Sequence, residues 1–187
     1  MPEGGCCRCC TGFIFTLGLT ALFLWLSLRP DKPTLSIEEF YIPALNKTLN
    51  DTSNTTISFD FKLRNNNKDK GVYYDDLNLT FYYTHNLGLP VANFTIPGFR
   101  QGFKKSAHRI QTVPTVGLPW DEARREVSNG TGAVFRVDLK TRVRYRIIGV
   151  KTKRHTIKIG ANLTVKDMGA LVKHKDKGVK LSYAPIQ

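Results

Sequence analysis

The chain has 187 residues, of which 28 are Lys or Arg and 15 are Asp or Glu, for a formal net charge of +13. All four cysteines (Cys6, Cys7, Cys9 and Cys10) fall in the first ten residues, so no disulfide framework holds the remainder and its stability must come from an apolar core. The length fits one domain plus an appendage, and the charge draws such a domain towards acidic polymers or anionic surfaces.

Residues 1–10 form a short cysteine-rich tail. The C-C-x-C-C spacing strains a tetrahedral zinc site, and no histidine or acidic cluster follows it, so no metal is expected here. Cysteines beside a bilayer are acceptors for reversible palmitoylation; the plainer reading makes them small apolar residues that fill out a helix end. Pro2 after Met1 excludes N-myristoylation.

Residues 11–28, TGFIFTLGLTALFLWLSL, carry no charge. As a helix they span roughly 27 Å, close to the hydrocarbon thickness of a bilayer. Trp25 suits an interface, and Arg29-Pro30 stops the helix. A cleavable signal peptide has a shorter apolar core and a small-x-small cleavage site; Leu26-Ser27-Leu28-Arg29 is a poor match. The expectation is an uncleaved anchor, a stem at residues 29–33, and a domain at residues 34–187.

Flanking charges do not settle the orientation, with Arg8 on one side and Arg29 and Lys32 on the other. Glycosylation acceptors do. N-x-T occurs at Asn46, Asn50, Asn54, Asn78, Asn93, Asn129 and Asn162, seven of the eleven asparagines. The expected topology is a cytosolic N-terminus with the domain lumenal or extracellular, which removes nucleic acid as a partner. Strand alternation leaves Asn78, Asn93 and Asn162 facing outward, and the other four fall in polar loops or a turn, so all seven are expected to be accessible.

Period-two alternation predicts strands near 34–42, 55–64, 72–84, 89–96, 103–113, 133–148 and 154–165. The stretches 65–71 and 86–88 are turn-rich, and PWDEARREV at 119–127 predicts a short helix with acids in its first turn. The run 133–148 exceeds ordinary strand length, so a bulge or bend is expected within it. The class is all-β: an antiparallel two-sheet sandwich preceded by one transmembrane helix.

No catalytic constellation is apparent. His85, His108, His155 and His174 are scattered, with His85 and His155 expected at strand ends. Glu38-Glu39 and Asp75-Asp76 are adjacent in strands and so expected on opposite faces, unable to form an acid/base couple. No glycine-rich phosphate loop is present, and no cofactor is expected. Tyr73-Tyr74 and Tyr82-Tyr83 each place one ring inside and one outside. The least ordinary feature is 133–148, where Phe135, Val137, Leu139, Val143, Tyr145 and Ile147 alternate with Arg136, Lys140, Arg142, Arg144 and Arg146. The outward cations recur about every 6.7 Å, with Asp138 the one exception, and Lys151, Lys153, Arg154 and Lys158 are expected beside them. A solvated face explains the row, but alternating signs would solubilise a sheet with less repulsion.

The ordered series of the apolar anchor, LRPDKPTLSIEEF, LRNNNKDKGVYYDDL, IPGFRQGFKKS and LKTRVRYRIIG resembles the plant NHL family, the non-race-specific-disease-resistance and harpin-induced-like membrane proteins. The resemblance implies a late-embryogenesis-abundant group-2 domain with an immunoglobulin-like or fibronectin-III-like sandwich at the plasma membrane. It also implies a link to pathogen responses and, for some members, plasmodesmata. Two departures stand out: Asn65-Asn66-Asn67 replaces the family's Asn-Pro-Asn, and Ala161 stands where members often carry cysteine. The expected function is a non-catalytic, membrane-anchored binding or adhesion protein. Its basic face would engage acidic cell-wall polysaccharide or a protein partner in defence or cell-surface signalling. The competing expectation is a stress-protective domain whose basic face lies on anionic lipid.

Overall fold

The computed structural model describes residues 5–49, 53–173 and 177–182. Two compact units result, Met1–Asp31 and Lys32–Gln187. The first is the helix α1, Gly5–Leu28. Its stretch Cys10–Leu28 is long and apolar enough to cross a membrane. The Thr16 and Thr20 hydroxyls donate to the Gly12 and Thr16 carbonyls at 2.9 and 2.7 Å, so these polar groups are satisfied without water. The helix begins six residues before the expected start at Thr11, because no proline or acidic residue after Glu3 stops it from running back through the cysteines.

The second unit is a sandwich in which every strand pair is antiparallel. One sheet contains β1 (Thr34–Asn46), β2 (Thr56–Arg64), β7 (Ser106–Pro114), β11 (Met168–Ala170) and β12 (Val179–Lys180). The other is built around β8 (Ala133–Ile147). β3 (Gly71–Tyr74) and β4 (Leu77–Tyr83) pair with one edge of β8; β9 (Val150–Lys151) and β10 (His155–Val165) pair with the other. β5 (Asn86–Ile96) and β6 (Arg100–Gln101) extend the sheet beyond β4 and β3. The four two- or three-residue strands lie below what alternation alone reveals.

The inward faces meet in one aromatic cluster. Phe40 and Phe59 from one sheet stack against Phe81 and Phe135 from the other, and Tyr83 joins Phe135, with ring centroids 5.0 to 5.8 Å apart. All five are buried, and each such side chain contributes on the order of 2–3 kcal/mol by burial. The helix α2 (Trp120–Ser128) caps the cluster through Ala123 and Val127, one residue later than the sequence predicts.

The long strand β8 carries no bulge against β10. It pairs with β10 from Ala133 to Val143 without a register shift. The irregularity lies in its partner: Tyr74 faces Val143 and Asn78 faces Lys140, so three residues oppose two, and the expected strand 72–84 becomes β3 and β4. A second bulge interrupts β1, where Ile37 faces Phe61 but Glu39 faces Asp60. Each of these two bulges coincides with an acidic pair. With Ile37 and Phe40 both inside, Glu38 and Glu39 both point out; with Tyr74 and Leu77 both inside, so do Asp75 and Asp76. The expectation of opposite faces fails because it assumed unbroken pleating. Likewise, residues 103–105 form a turn rather than the start of a strand, and the β4–β5 turn is Thr84-His85, with Asn86 already opposite Tyr83.

The C-terminal segment closes one side of the sandwich. Leu181 N–H donates to the Leu35 carbonyl at 2.8 Å, while Ser182 exchanges two backbone bonds with Gly160 of the other sheet.

Candidate binding face

The outward side chains of β8 lie down the middle of the larger sheet, not along an edge, so their surroundings are set by β3 and β4 on one flank and β9 and β10 on the other. Lys140 is in register with Asn78 and with Lys158, placing two ammonium groups on directly opposed positions. Arg142 is in register with Thr156, and Arg146 with Gly71 and Lys151. Lys140, Arg142 and Arg146 are exposed; Arg136 and Arg144 are half-buried.

Two of the five cations of the row have a carboxylate within reach. Arg136 Nε donates to Asp138 at 2.9 Å. Arg144 lies 3.7 Å from Asp75, which also holds Arg154 at 3.2 Å. Asp75 reaches the row because the bulge turns it outward and fixes its backbone: its N–H donates to the Arg142 carbonyl at 2.8 Å, and its carbonyl accepts from Thr141 Oγ1 at 3.1 Å. Sequence reasoning missed this acid; the switch in inward parity between Tyr74 and Leu77 was the available signal. Tyr73 lies between two more cations, with Lys151 4.9 Å and Arg100 5.6 Å from its ring centre.

A depression of about 280 Å³ opens beside Asp138, lined by Tyr82, Arg136, Asp138, Lys140, Lys158 and Gly160 among others. Gly160 makes it possible. A Cβ there would collide with Asp138 Oδ1 and sit 2.9 Å from the Val137 carbonyl, so no larger residue fits between the strands.

Three sequons share this face. Asn162 is opposite Arg136, Asn78 opposite Lys140, and Asn93 opposite Thr80, itself the neighbour of Asp138. All three are exposed, as are Asn54 and Asn129. Carbohydrate at Asn78 and Asn162 would crowd Arg136 and Lys140 and leave Arg142, Arg144 and Arg146 open. Asn46 departs from expectation: it is 9% exposed, its Nδ2 donates to Tyr41 Oη at 3.1 Å, and its Oδ1 accepts from Thr48 N–H and Oγ1. A strand end that curls into an Asx-type turn buries the amide. Asn50 lies outside the described residues. So do the side chains of Cys6, Cys7 and Cys9; Cys10 is exposed with a free thiol.

The remaining polar groups are tied up locally. Glu38 accepts from Ser36 Oγ at 2.7 Å and lies 3.6 Å from Lys62, whereas Glu39 is 3.9 Å from Lys173. Partial burial pushes the Glu38 carboxyl up, but the Ser36 hydroxyl and Lys62 outweigh it and hold it below the ordinary range. Asp76 accepts from Gly98 N–H at 2.8 Å. Neither acidic pair shares a partner. His85 Nε2 is 2.6 Å from Glu126, whose other oxygen accepts from Tyr83 Oη at 2.7 Å. His108 Nδ1 is 2.8 Å from Asp60. His155 opens β10 and is exposed; His174 lies outside the described residues. Tyr73 and Tyr82 are half-exposed while Tyr74 and Tyr83 are buried, as alternation predicts. Burial raises the Tyr74 hydroxyl above the ordinary tyrosine range, and burial followed by the Glu126 carboxylate does so for Tyr83. Among the described residues no three His, Cys, Asp or Glu side chains cluster as a metal would require.

No family model matches the chain. It is 47% identical to Protein NDR1 of Arabidopsis thaliana over 187 residues, covering 96% of this chain and 84% of that protein. With NDR1/HIN1-like protein 3 of the same plant it shares 29% identity over 157 residues, covering 80% of this chain and 66% of the other. A crystal structure of a protein from Archaeoglobus fulgidus is similar with a TM-score of 0.34 and 14% identity, covering 59% of this chain and 85% of that one.

Proposed function

The chain belongs to the plant NDR1/HIN1-like family, and on that footing we propose that it is a non-catalytic, membrane-anchored binding protein whose domain engages an acidic cell-wall polysaccharide. As a member of that family it is defence-related. In this reading α1 anchors it in the plasma membrane with the N-terminus cytosolic, and the sandwich faces the apoplast.

One observation carries the proposal. The centre of the larger sheet presents Lys140, Lys158, Arg142, Arg144 and Arg146 on one face, and Lys140 opposes Lys158 directly. Like charges so placed destabilise a sheet, so the arrangement works against folding and favours an extended polyanion. The spacing of the cations is comparable to the screening length of about 8 Å at physiological ionic strength, so they act together on one linear chain.

The test is binding of de-esterified pectin to the full-length protein in neutral bilayer discs, measured across a salt series. Each cation contributes on the order of 1 kcal/mol beside an anionic surface. Replacing Arg142, Arg144 and Arg146 with glutamine should therefore lower affinity on the order of 100-fold and flatten the salt dependence. Equal binding by the variant and the wild type would reduce the row to a solvated sheet face.

A further inference from the structure

One end of the sandwich differs from the rest in chemistry, and it is the end where the chain arrives from the stem. Thr34 opens β1, and its hydroxyl accepts from Asn66 Nδ2 at 2.8 Å. Asn65, fully buried, donates to the Lys70 and Gly102 carbonyls at 2.8 and 3.0 Å and so binds the loop 65–70 to the turn 102–105. β3 starts here, with Gly71 paired to Arg146 on one side and Val72 to Gln101 on the other. β8 and β6 therefore run off the same end, and each leads into a turn that carries apolar side chains into solvent. Phe103 is 57% exposed, Ile148 87% and Val150 71%.

The same two turns hold both non-glycine residues of positive φ among the described residues, Lys104 at 52° and Ile148 at 47°. A β-branched residue in the left-handed region is strained, and asparagine or glycine would relieve it. Neither burial nor turn chemistry accounts for isoleucine at this position. Exposed cations flank the apolar tips along the chain, Lys104 and Lys105 beside Phe103 and Arg146, Lys151 and Lys153 beside Ile148 and Val150, while the exposed Asp69 of the loop 65–70 is paired with Lys70 at 2.8 Å.

Sequons avoid this end. Among the described sequons, Asn46 ends β1 and Asn54 precedes β2 at the far end, Asn129 follows α2, and Asn78, Asn93 and Asn162 lie level with residues 136–140 of β8. The loops 65–70, 102–105 and 147–154 contain none, although Asn65, Asn66 and Asn67 are there. Residues 29–33 join this end to α1, and five residues reach about 18 Å at full extension.

We propose that this end is a bilayer-docking surface, with Phe103, Ile148 and Val150 set among the headgroups of an anionic phospholipid membrane and the five cations paired with lipid charges. Apolar tips flanked by lysine and arginine match the boundary of an anionic bilayer, which offers an apolar layer directly beneath negative charge. A polysaccharide offers only the charge. A bulky glycan would hold such a surface off the membrane, which accounts for the sequon-free loops. The proposal uses different side chains from the polysaccharide face, Arg146 excepted, and stands or falls separately from it.

The full-length chain, with Cys6, Cys7, Cys9 and Cys10 changed to serine, would be placed in discs of phosphatidylcholine with and without phosphatidylserine. An environment-sensitive fluorophore is attached in turn through Phe103→Cys, Ile148→Cys and, as the far-end reference, Ser128→Cys. In anionic discs the labels at 103 and 148 should shift to the blue and be quenched severalfold more by a lipid-borne spin label than the one at 128. Hydrogen exchange of the unlabelled wild type should slow in 102–105 and 147–151 when phosphatidylserine is added, which guards against a label that perturbs its turn. Quenching at 103 and 148 no greater than at 128, with unchanged exchange in both turns, overturns the proposal.

Discussion

Lys140 on β8 and Lys158 on β10 occupy directly opposed positions at the centre of a sheet, with no carboxylate between them in the register. Such a pair lowers stability, by roughly 0.2–1 kcal/mol on the scale of cross-strand charge pairs. Lys158→Glu should therefore raise the thermal midpoint of the domain while weakening its binding to de-esterified pectin. Opposite signs in the two assays are the signature of a charge kept for a ligand. A variant that loses stability would show that the two ammonium groups do not repel in the folded protein.

Asp75 restrains two guanidinium groups, those of Arg144 and Arg154. Asp75→Asn keeps the backbone bonds that hold the bulge but removes the charge. The expected result is a loss of about 1 kcal/mol in stability, since these pairs are partly exposed, together with tighter pectin binding as both cations are released. Denaturant midpoints and equilibrium binding on the same preparation would decide it; weaker binding would mean that Asp75 positions the arginines for the ligand instead of competing with it.

Alkaline pH should destabilise the sandwich through its buried tyrosines. The Tyr74 and Tyr83 hydroxyls are held above the ordinary range by burial, Tyr83 also by Glu126. A group whose folded pKa is raised contributes stability that is fully present below its unfolded value, near 10, and lost as pH rises above it. Urea midpoints should therefore fall from about pH 10 upward. Tyr83→Phe should be less stable at neutral pH by about 1 kcal/mol, for the lost bond to Glu126, yet show a shallower alkaline decline. An identical decline in the variant would assign the effect to other groups.

Glycosidase treatment of protein from plant membranes should increase gel mobility in several steps, and protease added from the cytosolic side should leave the domain intact. The sequon excess motivates this topology, and five acceptors are exposed: Asn54, Asn78, Asn93, Asn129 and Asn162. Unchanged mobility with a digested domain would reverse the orientation.

Thioester-linked acyl chains are expected on some of Cys6, Cys7, Cys9 and Cys10. The helix already runs back to Gly5, so these residues continue the helix that holds the apolar span Cys10–Leu28. An acyl chain contributes about 0.8 kcal/mol per buried CH₂, so acylation should change lateral sorting more than attachment. Hydroxylamine-sensitive labelling of the intact protein is the measurement, and its absence would end the idea.

Alternation made the sandwich legible because the inward positions of β2, β4, β8 and β10 are occupied almost entirely by Ile, Leu, Val, Phe and Tyr. It failed where one residue was added. At Glu38-Glu39 and Asp75-Asp76 the inward parity switches within the sequence itself, between Ile37 and Phe40 and between Tyr74 and Leu77, but an unbroken strand is the simpler reading of each segment. The cation row was visible as a pattern, and Lys151 and Lys158 were expected beside it; that Lys158 faces Lys140 and Lys151 faces Arg146 depends on strand register. Asn65 looked like one more turn residue, and only the fold shows it buried and joining two loops. Asn46 looked accessible because its segment is polar, but strand pairing extends to it.

That last pairing sets an order of events. Asn46 is shut away where β1 meets β11, its register partner being Met168, near the end of the chain. A ribosome adds on the order of ten residues per second, so on the order of ten seconds separate the synthesis of the two. With the domain translocated as proposed, Asn46 is throughout that interval an open acceptor on a nascent chain whose first strand still lacks its last neighbours. Whether it receives a sugar is a race between an enzyme and translation, and a molecule modified there would have to complete its sheet around the attached glycan.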